Sequence, residues 1–195
     1  MKESSSFRVC VQCGRRVWSD NDNVLCWLCR LGNGLREAED AKKAAVVARI
    51  ARFPLMIELV PETSWFCNLR AKAKPDVWDV IRREAYRKAG YKCSICGHRG
   101  TLYCHEVWLY DDERHIQKLD GFVALCEWCH MVKHIGYAEG FYDKYKALGG
   151  HFMRVNNCSF EDFVAAKDIA FEVWAERSES PWEIDLGEYA KMVEG

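Results

Sequence analysis

The sequence predicts a small α+β protein held together by zinc. Three observations predict it. Eight of the eleven cysteines stand in Cys-x-x-Cys pairs, the spacing of zinc knuckles. An apolar, β-prone run, Leu102-Tyr-Cys-His-Glu-Val-Trp108, lies between the last two pairs. Stretches with helical patterning flank that run on both sides. At 195 residues and 49% hydrophobic, the chain can bury a core. The expected division is an N-terminal zinc knuckle over 1–34, a connector helix and linker over 35–60, and a main domain over 61–195. Residues 91–136 form the centre of that domain, and C-terminal helices follow over 137–195.

Net charge is −1, so the overall balance selects no partner. The distribution says more. Residues 70–99 carry nine Lys or Arg against three acids, and residues 155–195 carry three against ten. A basic middle suits a polyanion, although such asymmetry also arises on solvated faces. The first residues are polar, with no apolar leader, and no run of 18 apolar residues exists. These features lead us to expect a cytoplasmic protein with no membrane partner. A reducing compartment also favours zinc over disulfides for the paired cysteines.

Taken in order, the chain opens with Cys10-Val-Gln-Cys13 and Cys26-Trp-Leu-Cys29, twelve residues apart. A short hairpin turning at Ser19-Asp-Asn-Asp-Asn23 is expected between them. Cys10, Cys13, Cys26 and Cys29 would close one zinc site, with Arg15, Arg16 and Arg30 nearby. So small a module has no other core, and zinc can supply ~10 kcal/mol of folding energy. It either touches nucleic acid or a protein partner, or serves only as a cap. Leu35–Phe53 reads as a helix stopped by Pro54. Its loose apolar stripe fits a connector or a surface that pairs with a second copy.

Asp76–Ala89 reads as a helix with Asp76 as N-cap and Gly90 beyond its end. Arg82, Arg83, Arg87 and Lys88 lie largely on one side of it. Phosphate contacts and an ordinary solvated face both fit that side. Tyr137–Leu148 reads as a short helix ended by Gly149-Gly150. Ser159 with Asp162 resembles a capping box. The helix after it carries Phe160, Phe163, Val164, Ala170, Phe171 and Trp174 at core spacing.

The central stretch concentrates the chemistry. Cys93-Ser-Ile-Cys96-Gly97 and Leu125-Cys126-Glu-Trp-Cys129 can close a second zinc site. His130 and His134 are four apart, so a helix puts them on one face. Cys104-His105-Glu106 lies on the β-prone run between the knuckles. Strand alternation sets Cys104 and Glu106 on one side and His105 on the other.

These motifs resemble the HNH endonuclease family, built on a ββα-metal finger. The match covers residues 91–136, and a looser likeness to small bacterial and phage members runs from Ile57 to about Leu186. The resemblance implies a metal-dependent endonuclease that cuts DNA and leaves 5′-phosphates. It gives His105 the general-base position and His130 and His134 the metal. It gives Lys133 a place near phosphate, and the basic helix a place on the duplex. It implies two structural zinc ions and a third divalent ion: magnesium, manganese, nickel or zinc.

Two departures stand out. Cys104 replaces the usual Asp or His. Its thiolate would favour zinc, the Glu106 carboxylate would instead favour magnesium or manganese, and a third option leaves Cys104 binding nothing. The middle Asn is replaced by Gly121, with Gln117 or Asp120 as substitutes. The rival reading is a zinc module on the same scaffold that binds nucleic acid or protein without cutting. RNA is admitted as well as DNA, since no feature reads a base or a 2′-hydroxyl.

Overall fold

A computed structural model describes residues 6–10, 16–19, 38–138 and 142–193. Cys13, Cys26 and Cys29, and with them the completion of the N-terminal zinc site, lie outside the described residues. The expected turn at Ser19-Asp-Asn-Asp-Asn23 also lies largely outside the described residues. Strands β1 (Ser6–Val9) and β2 (Arg16–Ser19) pair antiparallel. Their connection carries the first cysteine pair. Cys10 is buried in the main core.

Helix α1 (Ala38–Ile50) runs through most of the expected segment. Val47 and Ile50, with Phe53 after the helix, are buried in one core with Leu125, Phe152 and Phe163. The apolar side of α1 therefore packs inside its own chain. Its polar side reaches helix α6 (Phe160–Ser178): Arg49 pairs with Asp162, and Lys43 with Glu172 at 3.7 Å. Among the described residues no helix is long and apolar enough to cross a membrane.

Two short elements precede the sheet. Helix α2 (Leu69–Lys72) is capped by Asn68, which accepts from the Ala71 N–H at 2.8 Å. Helix α3 (Pro75–Lys88) starts one residue earlier than expected. Lys74 is the N-cap and Pro75 the first helical residue, since proline has no N–H to lose there. Asp76 instead faces the helix dipole from the first turn. Gly90 ends the helix as expected, at φ +61°.

The centre is a long antiparallel hairpin, β3 (Leu102–Asp111) with β4 (Ile116–Cys126). Helix α4 (Glu127–Lys133) follows β4 without a loop. Strand β5 (Glu183–Asp185) adds parallel to β4 at the hairpin's turn end. The pairing slips between Val107 and Trp108, where Val107 faces Gly121 and Trp108 faces Leu119. Asp120 is the extra residue, and Gly121 sits at φ +142°. That conformation strains any residue with a Cβ, which accounts for glycine at this position.

The hairpin divides two cores. Leu125 and Val123 look toward α4 and the large core. Leu119, Phe122, Trp108 and Cys104 look toward Leu69, Ile81 and Trp78.

Two helices complete the fold. Helix α5 (Tyr142–Asn156) runs through Gly149 and Gly150 rather than ending there. The reason is packing. A Cβ on Gly149 would lie 2.9 Å from Cε1 of the buried Phe163 on α6. The capping box of α6, Ser159 with Asp162, is present, and Phe163 and Ala170 are buried. Phe160, expected in the core, is exposed because it sits in the first turn beyond the packed face.

Gly149 and Gly150 should therefore respond oppositely to alanine. At Gly150 the nearest atom to a new Cβ is 3.6 Å away, so Gly150→Ala should stabilise by about 0.5–1 kcal/mol through helix propensity. At Gly149 the overlap outweighs that gain, and Gly149→Ala should lose about 1–2 kcal/mol net. Urea denaturation of the two variants checks the pair.

Candidate metal centre

Two groups of side chains converge on the hairpin–helix unit. The first is Cys93, Cys96, Cys126 and Cys129, whose sulfurs all lie within 4.8 Å of one another. The local chain explains this. Gly97, at φ +72°, lets the turn fold back, with its N–H on the Cys93 carbonyl at 2.9 Å. Ser94 then anchors the turn to β4, donating its N–H to the Ala124 carbonyl at 2.8 Å. Cys126 ends β4 and caps α4, so Cys129 lies one turn further on the same side. Four sulfurs so close conflict electrostatically. A bond from Cys129 holds Cys93 well below the usual thiol range, to about 4. The same bond pushes Cys129 up, and burial pushes Cys126 up to about 11. Four cysteines in this arrangement can hold a metal ion, and a dication lets all four ionise together.

The second group is His105, His130 and His134, whose ring nitrogens also fall within 4.8 Å of each other. His105 comes from β3, His130 from α4, and His134 is the C-cap of α4. The rings meet edge to face, with centroids 4.8–5.4 Å apart. Burial, then His134, Lys133 and His130, hold His105 down to about 2. Burial, then His130 and Lys133, hold His134 down to about 4. Burial, then Arg70, lowers His130 as well. All three rings are therefore neutral at pH 7, each with a lone pair to offer.

Several expected members of the site sit elsewhere. Cys104 and Glu106 are on the opposite face of β3, as strand alternation dictates, and do not join the imidazoles. Burial pushes the Cys104 thiol up to about 12. Glu106 accepts the backbone N–H of Arg70 at 3.1 Å and so caps α2. With both turned away, the cluster is all nitrogen. That donor set suits zinc, nickel, copper or iron better than magnesium. Gln117 is fully buried at the far end of β4, where the Ser64 hydroxyl donates to it at 2.6 Å. It is not a substitute for the middle Asn.

Lys133 is buried, and its Nζ lies 2.7 Å from the Glu58 carboxylate. It is not free to meet phosphate. The cations of α3 are shared among acids of the same helix. Arg82 bonds Asp79 at 2.6 Å, and Arg83 reaches the same carboxylate at 3.3 Å. Arg87 bonds Glu84 at 2.7 Å, and Lys88 lies 3.8 Å from it. These pairs are exposed and exchangeable, so the face carries less net charge than its arginines suggest.

One residue without a role in the sequence acquires one here. His151, on α5, places Nε2 3.2 Å from the Cys129 sulfur, and both groups are buried. When Cys129 is a thiolate ligand, that N–H can donate to it and hold it in place. The two residues are 22 apart, and only the folded α5 brings them together.

With zinc loaded at the four sulfurs, His151→Ala should release the ion to a chelator about 10–100-fold more readily than the wild type. His151→Gln, which keeps a donor, should recover part of the difference. Acid should act on the imidazole group. Unfolded histidine takes a proton near pH 6.5, whereas His134 resists until about 4 and His105 until about 2. Their contribution to stability is complete above about pH 6.5 and is lost as pH falls below it, because the unfolded chain binds protons first. Urea midpoints of the metal-free protein should therefore fall from pH 7 to 4.5, less steeply in His134→Asn.

No family model matches the chain, and no curated protein or solved structure matches it either, so what this centre does must come from its own side chains.

Proposed function

We propose that this protein is a metal-dependent hydrolase of nucleic-acid phosphodiester bonds, working at His105, His130 and His134. One observation carries the reading: three neutral imidazoles, from a hairpin and the helix that follows it, converge within 4.8 Å beside a four-cysteine cluster. This order of parts is what the likeness to HNH endonucleases implies. On this reading zinc at the four cysteines is structural, and a second ion lies among the imidazoles. A third site at the N-terminal cysteines completes the set. DNA is the substrate we favour, in line with that likeness.

Phosphodiester hydrolysis needs water activated for attack and positive charge where charge develops on phosphate. A bound divalent ion supplies that charge and lowers the pKa of water. His130, on α4, and His134, at its C-cap, would hold it. His105, from the facing strand, accepts the proton of the attacking water. Burial keeps the ring neutral, with its lone pair free, but also makes it a weak proton acceptor. The same burial favours a second role for His105, as third ligand of a three-histidine site.

A binding module that does not cut is the second reading. It is favoured by Glu106 and Cys104, which turn away and leave no carboxylate in the imidazole group among the described residues.

Plasmid nicking and metal content, measured on the same preparations, test all of this. Wild type should nick with added zinc or nickel, and His130→Ala should not. His105→Ala should lose about 10²–10⁴-fold in rate. If His105 is the base, that variant keeps the imidazole-bound ion; if it is the third ligand, the ion is lost too. Nicking that survives both substitutions would refute the assignment. Intact nucleic-acid binding without nicking under any ion would establish the module instead.

A further inference from the structure

Past His130, at the edge of β3, lies a cavity that reaches from Tyr103 and His130 to Cys104 and α3. Its volume is ≈ 330 Å³, and it is lined by Arg70, Trp78, Arg82, Tyr103 and Cys104 as well as by His130 itself. That size lies at the lower end of the ~300–1,000 Å³ typical of small-ligand sites. The lining combines two kinds of group. Arg70 supplies positive charge, while the charge of Arg82 is offset by Asp79 beside it; Tyr103 and Trp78 supply aromatic surface.

Each group has a definite state. Arg70 is exposed and takes part in none of the ion pairs found among the described residues. Its guanidinium lies 5.8 Å from the centre of the Trp78 ring. It is near enough to His130 to lower that ring's proton affinity. Arg82 is steadied by Asp79, which also lines the cavity, at 2.6 Å. Tyr103 stacks one face on His130, with centroids 5.4 Å apart and planes 11° apart, and remains 39% exposed. Cys104 is a neutral thiol and adds no competing charge.

We propose that this cavity binds one unpaired nucleotide, with its phosphate on Arg70 and its base against Tyr103. A base buried in a duplex has both faces covered and cannot stack on a tyrosine, whereas an unpaired base can. Duplex binding would instead draw on a broad array of free cations. The cations of α3 are largely shared with Asp79 and Glu84. The cavity and the metal centre share His130, so a strand held in one passes its next phosphodiester toward the other. This last step rests on the hydrolase reading above: the substrate is then single-stranded, or unpaired at the point of cleavage. DNA and RNA strands carry the same phosphate and base chemistry.

The test measures fluorescence anisotropy of short labelled oligonucleotides, as single-stranded DNA, single-stranded RNA and duplex DNA. It uses the full chain in a His105→Ala background, so that cleavage does not consume the probe. Single strands should bind more tightly than the duplex. Tyr103→Leu should weaken single-strand binding about 5- to 150-fold, and Tyr103→Phe should restore it. Arg70→Ala should lower the salt slope by about 0.7 for one lost phosphate contact. Both side chains are exposed, and circular dichroism will confirm that the variants fold.

Duplex binding as tight as single-strand binding would overturn the proposal, as would variants that bind like the parent. The two readings separate cleanly. If the variants bind like the parent while His105-containing protein nicks DNA, the cavity is misassigned and the hydrolase stands. If binding follows Arg70 and Tyr103 but no preparation cleaves, the cavity stands and the hydrolase falls.

Discussion

Everything at this site depends on the four sulfurs at the hairpin's open end. The turn that carries Cys93 and Cys96 has few backbone bonds of its own. Helix α4 has only seven residues, too few to hold its shape alone. The cluster joins the turn to the β4–α4 junction, while Val132 and Cys129 pack α4 into the large core. Cys126 caps the helix, Cys129 lies in it, and His130 is the next residue. An ion among the sulfurs would reinforce the direction of α4, on which the meeting of His130 and His134 with His105 depends. Structure and chemistry sit one residue apart. Without an ion the four thiols cannot all ionise together: Cys93 is held low while Cys126 and Cys129 are pushed up.

The hairpin is the second constraint, because it separates two environments. His105 faces the imidazoles, while Cys104 and Glu106 face α2 and α3. A strand cannot bring consecutive side chains to one point without a break, and the break in this one comes later, between Val107 and Trp108. The composition of the candidate centre follows from this parity. A thiolate or carboxylate ligand is lost, and an all-nitrogen group remains. Gly121 belongs to the same account. It marks the bulge across which Leu119 and Phe122, three positions apart, face the same core.

Local features of this fold were legible in the sequence. The spacing of the cysteine pairs identified the sulfur cluster, and the capping box and Gly90 marked helix ends. The i, i+4 spacing of His130 and His134 put them on one face, and alternation already set His105 against Cys104. What the sequence hid depends on contacts between distant residues. Gly149-Gly150 reads as a stop signal by propensity, yet Phe163 needs the missing Cβ. Lys133 reads as a phosphate contact until Glu58, 75 positions earlier by number, is found beside it. His151 carries no local signal for its contact with Cys129. The stretch before Pro54 reads as a connector because its stripe is weak, but α6 covers it. In each case a long-range partner overrides the local pattern.

Charge balance links the imidazole group to an anionic ligand. Three neutral rings give an ion nothing to offset its double positive charge, unlike a site with carboxylate ligands. Lys133 stands close enough to lower His105 and His134, and its own charge is answered by Glu58. Arg70 adds a further cation on the open side and lowers His130. A loaded centre of this kind is a positive spot in a partly buried setting, where electrostatic effects are larger than in water. The ligand that best completes it is negative, reaches it from the Arg70 side, and has an apolar portion for Tyr103 and Trp78. A phosphodiester with its base meets all three conditions, whereas a free phosphate meets only the first two and an uncharged peptide only the last.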